Sequence, residues 1–410
     1  MFCQLFFVPR RFTRATLALT IAVQSAAVQP LSAGERVSSP QLIGIAQLEG
    51  SSSDRSGQQD KLINGVPHNR LGGFSALEYS GKGQRYVALP DRGPDDGATG
   101  YECRFQVLDI IVNPEDSPAV KTKLVETVPL TNEQRLPFTG DATAYAATAA
   151  HAGRLDPEGF RFHSSGHFFL SDEYGPQLME FDANGQALRD FTLPDHLTVR
   201  HPAGTKDSEN ALNNTGRASN KGMEGLALSP DGKQLYGLMQ HVLLQDGVRD
   251  ERGRPVGRNC RLVQVDVATG DVREYVYQLD SPTNGLNEIL AINDEEFLVI
   301  ERDGLPGQSA KFKKIMKISL ANATPIQNPG QLPLELPDTI QPVAKEVFID
   351  FLSPEFDLSA EQIPEKLEGL TFGPRLPDGR SCLVVASDND FVESEPTLIY
   401  VFGLQTDHEG

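Results

Sequence analysis

The chain has 410 residues, and its 56 acidic against 37 basic side chains leave a formal net charge of −19 at pH 7. A surface this acidic repels nucleic acid and anionic lipid, but not a metal cation able to gather anionic groups onto it. Four cysteines and no tryptophan weigh against a disulfide framework and against a lectin that stacks sugars on indole rings.

At the amino terminus Arg10, Arg11 and Arg14 precede a largely apolar run, Ala15 to Val28, that ends among small residues near Ala27 or Ala33. This is the order of a secretory signal. No stretch approaches the ~20 uninterrupted apolar residues of a membrane span. Cleavage after residue 33 removes Cys3 and three arginines but no acid, so 34 basic and 56 acidic groups remain and the charge moves to −22. A secreted or periplasmic protein is expected, with residues 34–410 as one domain. Of the remaining Cys103, Cys260 and Cys382, the first two each precede an Arg ahead of a strand. A bridge between those two stays open.

Gln41 to Leu48 alternates apolar and polar residues like a strand. Five copies of a repeat follow. They begin at Gly73-Phe-Ser-Ala-Leu77, Asp156-Pro-Glu-Gly-Phe160, Lys221-Gly-Met-Glu-Gly-Leu226, Leu286-Asn-Glu-Ile-Leu290 and Lys366-Leu-Glu-Gly-Leu370. Each continues through a turn of Gly, Pro or Asp into a second apolar strand, four of which end in acids, as at Asp91, Asp172-Glu173, Glu301-Arg302-Asp303 and Asp388. A third and a fourth strand complete the unit, and four antiparallel strands per unit make a propeller blade. The pattern predicts an all-β propeller of five blades. Six would need a unit hidden in residues 104–155 or 311–365, where Phe105 to Val112, Lys121 to Val128 and Val347 to Phe351 read instead as outer strands. The fifth blade lacks a fourth strand after Thr397 to Phe402, and Gln41 to Leu48 is expected to supply it and close the ring.

In such a blade the first strand begins, the second ends and the third begins at one face of the disc. The polar residues and long insertions fall there, so that face is the expected site. Glu158, Glu224, Glu288 and Glu368, with Ser75 replacing Glu in the first copy, would converge on the axis as a ring of carboxylates. Asp91, Asp172, Glu301, Asp303 and Asp388 stand ready to complete or duplicate a metal site. An all-oxygen donor set suits Ca²⁺ or Mg²⁺ better than zinc. The alternative is that each glutamate latches its own blade through backbone N–H groups or a neighbouring Lys or Arg.

Arg92, Arg302, Arg104 and Arg261, with Lys221, offer guanidinium forks and an ammonium for phosphate or carboxylate oxygens. His241 follows Gln240 where other copies carry acids and is the candidate general base. Arg92 and Arg302 complete the catalytic set, and Arg104, Arg261 and Lys221 the substrate-binding set. No Gly-x-Ser-x-Gly elbow, P-loop, His-Glu-x-x-His or dinucleotide fingerprint occurs.

The segments Leu155-Asp-Pro-Glu-Gly159, Asn220-Lys-Gly-Met-Glu-Gly-Leu226, Asn284-Gly-Leu-Asn-Glu288, Ile300-Glu-Arg-Asp-Gly304 and Leu367-Glu-Gly-Leu-Thr371 resemble the bacterial phytase-like family described by esterase-like activity of phytase. The resemblance covers roughly residues 40–404 and implies a secreted or periplasmic β-propeller with phosphoesterase or esterase activity. Three functions follow as expectations: a divalent-metal-dependent phosphoesterase or esterase, a metal-dependent lactonase or carboxylesterase of gluconolactonase type, and a non-catalytic binding propeller. The first two take a small-molecule ester and a divalent cation, Ca²⁺ foremost.

Overall fold

The computed structural model describes residues 35–326 and 330–408; the expected signal segment, 1–33, lies outside them. Five four-stranded antiparallel sheets are arranged as blades. Blade 1 contains β2 (Phe74–Tyr79), β3 (Arg85–Pro90), β4 (Arg104–Val112) and β5 (Val120–Pro129). Blade 2 contains β6 (Pro157–Phe162), β7 (Phe168–Asp172), β8 (Gln177–Phe181) and β9 (Ala187–Phe191). Blade 3 follows a short helix, α1 (Lys206–Leu212), and has β10 (Met223–Leu228), β11 (Gln234–Met239), β14 (Asn259–Asp266) and β15 (Val272–Gln278). Between β11 and β14 lies a two-stranded antiparallel ribbon, β12 (Val248–Arg249) with β13 (Pro255–Val256). Blade 4 has β16 (Gly285–Ala291), β17 (Glu296–Arg302), β18 (Lys313–Ser319) and β19 (Ala344–Asp350). Blade 5 has β20 (Lys366–Gly373), β21 (Ser381–Asp388) and β22 (Thr397–His408), and β1 (Glu35–Leu48) runs antiparallel along β22, pairing Gln41 with Gly403 and Leu48 with Thr397.

Each blade is apolar on both faces, because each is sandwiched between two others. The buried side chains accordingly sort into five interblade cores. Phe105, Phe160 and Phe168 lie between blades 1 and 2, and Tyr236, Phe297 and Val299 between blades 3 and 4. Phe351, Tyr400 and Phe402 lie between blades 4 and 5. Such close-packed aromatic pairs add roughly 0.5–1.5 kcal/mol each beyond the area they bury.

The first strands line the axis and carry one β-bulge each, which aims an unpaired residue at it. In blade 3 the pairs Met223↔Met239 and Gly225↔Leu238 leave Glu224 unopposed; in blade 5 Leu367↔Ser387 and Gly369↔Ala386 leave Glu368. The same rule selects Ser75 in blade 1. In blade 4, Leu286 pairs with Glu301 and Ile289 with Val299. Ile289 therefore stands where Leu226 and Leu370 stand, and the residue equivalent to the repeat glutamate is Asn287. Glu288 occupies the position held elsewhere by Gly159, Gly225 and Gly369, which corrects the expected ring by one residue.

Those glycines are needed for space: a Cβ on Gly225 would lie 2.8 Å from the Ile289 nitrogen, and one on Gly369 2.8 Å from the Leu77 Cβ. Beneath the bulges Arg161 of β6 crosses the axis. Its guanidinium donates to the carbonyls of Phe160 (2.7 Å) and Ile289 (2.9 Å), and pairs with Glu288 at 3.1 Å and Glu78 at 3.3 Å. The propeller's channel is thus closed by one buried arginine held by blades 1, 2 and 4.

Candidate functional site

Above Arg161 opens an axial chamber of about 440 Å³. Two positions per blade recur in its wall: the bulge residue, and the residue at or just past the end of the second strand. The first set is Ser75, Glu158, Glu224, Asn287 and Glu368; the second is Asp91, Glu173, Gln240, Arg302 and Asp388. Eight of these ten line the axial chamber, whereas Asn287 faces an adjoining side chamber and Asp388 lies behind Lys366. The fivefold pattern is broken in charge, because blades 2 and 3 contribute three glutamates where blade 4 contributes an amide and an arginine.

Four of the nine acids that line the chamber already hold a cation, as do Asp156 and Asp388 beside it. Arg92 lies on Asp156 through a short contact, on Glu173 at 3.1 Å and on Asp96 at 3.0 Å, and it also reaches the Asn220 amide oxygen. Arg302 donates to Glu368 at 2.6 Å, with Asn287 donating to the same oxygen at 3.1 Å. Lys366 pairs with Asp388 at 2.9 Å and with Asp390. Glu158, Glu224 and Asp91 have no ion pair within 4.0 Å among the described residues, although Gln240 donates an amide hydrogen bond to Glu224. Oxygens of Asp156, Glu158 and Glu173 lie within 4.8 Å of one another.

Burial and crowding set the proton affinities. Burial, then Glu224, Asp156 and Glu173, raises the Glu158 carboxyl well above its ordinary value. Burial also raises Glu224, helped by Glu173 and Glu368 and opposed by Lys221. Asp91 is raised by burial and by Asp388 and Asp156, and Asp156 reaches about 7 because burial outweighs Arg92. Glu173 goes the other way, since Arg92, Arg217 and Lys221 overcome its burial and hold it low. Lys221 is lowered by burial against the pull of Glu173 and Glu224, and its ammonium donates no hydrogen bond to a described residue. Two buried oxygens facing the chamber, Ser75 Oγ and Gln240 Oε1, have no hydrogen-bond partner. The converging oxygens of Asp156, Glu158 and Glu173, with neutral oxygens nearby that lack a donor, fit an oxygen-preferring divalent cation.

Several residues expected at the site are structural instead. Glu288 accepts the N–H groups of Leu226 and Ile289 and pairs with Arg161, and its pKa is pushed up to about 8 by burial. Asp172 accepts the N–H groups of Asp156 and Gly175, and Glu301 is enclosed by Tyr277, Asp280, Asn284 and Lys345. Asp303 binds Lys313 at 2.9 Å and folds its own loop. Arg104 is consumed by Asp54 at 3.1 Å beneath the Tyr101 ring, and Arg261 by Asp246 and Glu274. His241 borders the side chamber with Nε2 on the Pro282 carbonyl at 3.0 Å, and burial lowers its pKa. Asp156 and Lys366, two residues before the repeat glutamate, and Glu173 and Gln240, just past the second strand, are the contributors that attention to the glutamates alone overlooks. Cys103, Cys260 and Cys382 are free and buried.

A model of the phytase-like family, described as esterase-like activity of phytase, matches residues 69–391. The chain belongs to that family. A secreted protein of uncharacterized function from Arthroderma benhamiae is 27% identical to this phytase-like chain over 290 residues, 55% of the chain and 56% of the relative. The phytase-like chain therefore spans little more than half the length of that relative. Among solved structures, a β-1,3-galactosidase of glycoside hydrolase family 43 is 8% identical with a TM-score of 0.39, covering 85% of this chain and 94% of its own. The virginiamycin B lyase of Staphylococcus aureus is 11% identical with a TM-score of 0.37, covering 88% and 99%. Likenesses this distant carry nothing about chemistry. No helix among the described residues is long and apolar enough to cross a membrane.

Proposed function

We propose that this phytase-like chain is a secreted or periplasmic hydrolase of ester bonds, phosphate esters foremost, that works in the axial chamber with a divalent cation, Ca²⁺ first. The observation that carries the reading is a set of groups short of counter-charge or donor: the Glu158 and Glu224 carboxyls, which have no ion pair to a described residue, and the buried oxygens of Ser75 and Gln240, which have no hydrogen-bond partner. Those four residues would hold the ion, with Asp91 beside them and Asp156 and Glu173 behind. When bound, such an ion supplies Lewis acidity toward the ester oxygen and toward water.

The chain's own residues do the rest. Lys221, beside Glu173, and Arg302, which comes from blade 4, hold the substrate's oxyanion. Arg302 is held in position by Glu368 and keeps its Nε free. Burial raises the Glu224 carboxyl above its ordinary value, so its proton must leave before it can help hold the ion. Secretion is supported by the N-terminal pattern and by the relative's description as secreted. One observation favours a second reading, a carboxylic ester or lactone as substrate: nine acids against five bases line the chamber, an excess that repels a phosphate dianion until a cation is present.

The test is metal content after purification, followed by aryl phosphate and aryl acetate turnover in EDTA and with Ca²⁺, Mg²⁺, Mn²⁺ or Zn²⁺ restored. Activity abolished by EDTA and restored by one ion, with Glu158→Gln and Glu224→Gln inactive, is the expected result. Turnover untouched by EDTA, or by both substitutions, overturns the reading.

A further inference from the structure

Beside the axial chamber lies a second, larger one of about 880 Å³, joined to it across Lys221, Gln240 and Arg302. Its outer wall is built by α1 and by the β12–β13 ribbon. Arg249 fastens the two together by donating to the carbonyls of Asn210 at 3.2 Å, Asn213 at 2.8 Å and Gly253 at 2.6 Å. The wall is therefore a fixed part of the fold. Its charge is opposite to that of its neighbour: five basic residues and two acidic ones line the side chamber, against five basic and nine acidic in the axial one.

Resting on the ester-hydrolase reading, we infer that the side chamber receives the part of the substrate remote from the scissile bond, and that this part carries a single negative charge, a carboxylate. The sign follows from the lining. The number follows from which cations are already occupied. Lys206 is paired with Asp96 at 2.8 Å, Arg254 with Asp250 at 2.7 Å and Arg302 with Glu368 at 2.6 Å, and Lys221 belongs to both chambers. The Arg252 guanidinium, at the turn of the ribbon, has no ion pair or hydrogen bond to a described residue. One free planar fork matches one carboxylate. A dianion would leave charge uncompensated next to the acidic chamber. Pro255, Val256 and Pro282 give the intervening wall an apolar surface for the carbon chain that links the two ends.

The experiment uses aryl phosphates and aryl acetates whose leaving phenol carries, at the para position, a propanoate, its methyl ester, or an ethylphosphonate. Two methylenes insulate the scissile bond from the substituent, so intrinsic reactivity is matched. The propanoate is expected to exceed the methyl ester in kcat/KM by about tenfold, equivalent to ~1.4 kcal/mol, and to exceed the phosphonate as well. Arg252→Glu, at an exposed position, erases that preference and leaves the unsubstituted phenyl ester unchanged. Val256→Trp narrows the chamber, slowing every para-substituted ester but not the phenyl ester. A methyl ester or phosphonate equal to or better than the propanoate overturns the inference, as does a preference that survives Arg252→Glu. If no ester of either class turns over, the hydrolase reading fails, and calorimetry with 3-(4-hydroxyphenyl)propanoate still decides this one: binding weakened by Arg252→Glu upholds the side chamber, and no binding refutes it.

Discussion

Glu288→Gln and Glu158→Gln make the same chemical change at two positions that the repeat pattern equates and the fold separates by one residue. Stability should respond with opposite sign. At Glu288, glutamine still accepts from the Leu226 and Ile289 N–H groups but turns an amide donor or a neutral oxygen toward Arg161, which then lies buried with Glu78 as its remaining ionic partner. Removing one partner of a buried ion pair costs about 3–5 kcal/mol. The two retained hydrogen bonds, about 1 kcal/mol each, reduce the expected loss to roughly 1–3 kcal/mol. With an unfolding entropy of about 2.1 cal/mol/K per residue, a domain of this size falls by roughly 1–4 °C in Tm. At Glu158 the change removes a carboxyl crowded by Glu224, Asp156 and Glu173, so Tm in EDTA at pH 8 should hold or rise. Scanning calorimetry of both variants in EDTA decides the matter. Equal losses, or a neutral Glu288→Gln, would refute both the register and the assignment of Glu288 to the axial plug.

Three further outcomes are expected. Gly225→Val forces a side chain against the main chain of Glu288 and Ile289 and should destabilise by more than ~3 kcal/mol, read from urea unfolding; a neutral result means the first strands do not crowd the axis. A chain beginning at Ser51 lacks β1, leaving β22 as an unpaired apolar edge, and should melt markedly lower or aggregate; an unchanged Tm refutes the closing role of that strand. In EDTA, stability should fall as pH rises from about 4 toward 7, because Asp156, raised to about 7, and Asp390, raised to about 6 by burial and Asp388, keep protons in the folded state that the unfolded chain has released. Glu173, held low, opposes this trend; saturating Ca²⁺ should flatten it, and a slope indifferent to the ion argues against a cation among these acids.

The blade count was legible because five stretches share a strand, a turn and a second strand, and because the strands at 104–112, 120–129 and 344–350 could be placed within blades already counted. The axial acids were legible for the same reason, since a repeated position in a closed ring must point at the axis. The fourth copy misled because Glu288 reads as the shared glutamate, whereas the strand register is set by the burial of Ile289 opposite Val299. Strand periodicity turns a one-residue error into the opposite direction of the side chain. Arg104 and Arg261 looked like oxyanion forks because nothing local neutralises them. Their partners, Asp54 and Asp246, arrive on loops 50 and 15 residues away, and loop closure at that range leaves no mark in a linear pattern.

Because Arg161 fills the axis, the axial chamber is closed at its floor and opens only toward the loop-bearing face and the side chamber. On the proposed function, cation, ester, water and both products would have to pass on that one side. Traffic would then be sequential: an ion arriving after the ester would find its seat covered, and an anionic product would linger behind whatever enters next. Such a molecule should favour ion before substrate in its order of binding, and its own anionic product should be among its better inhibitors.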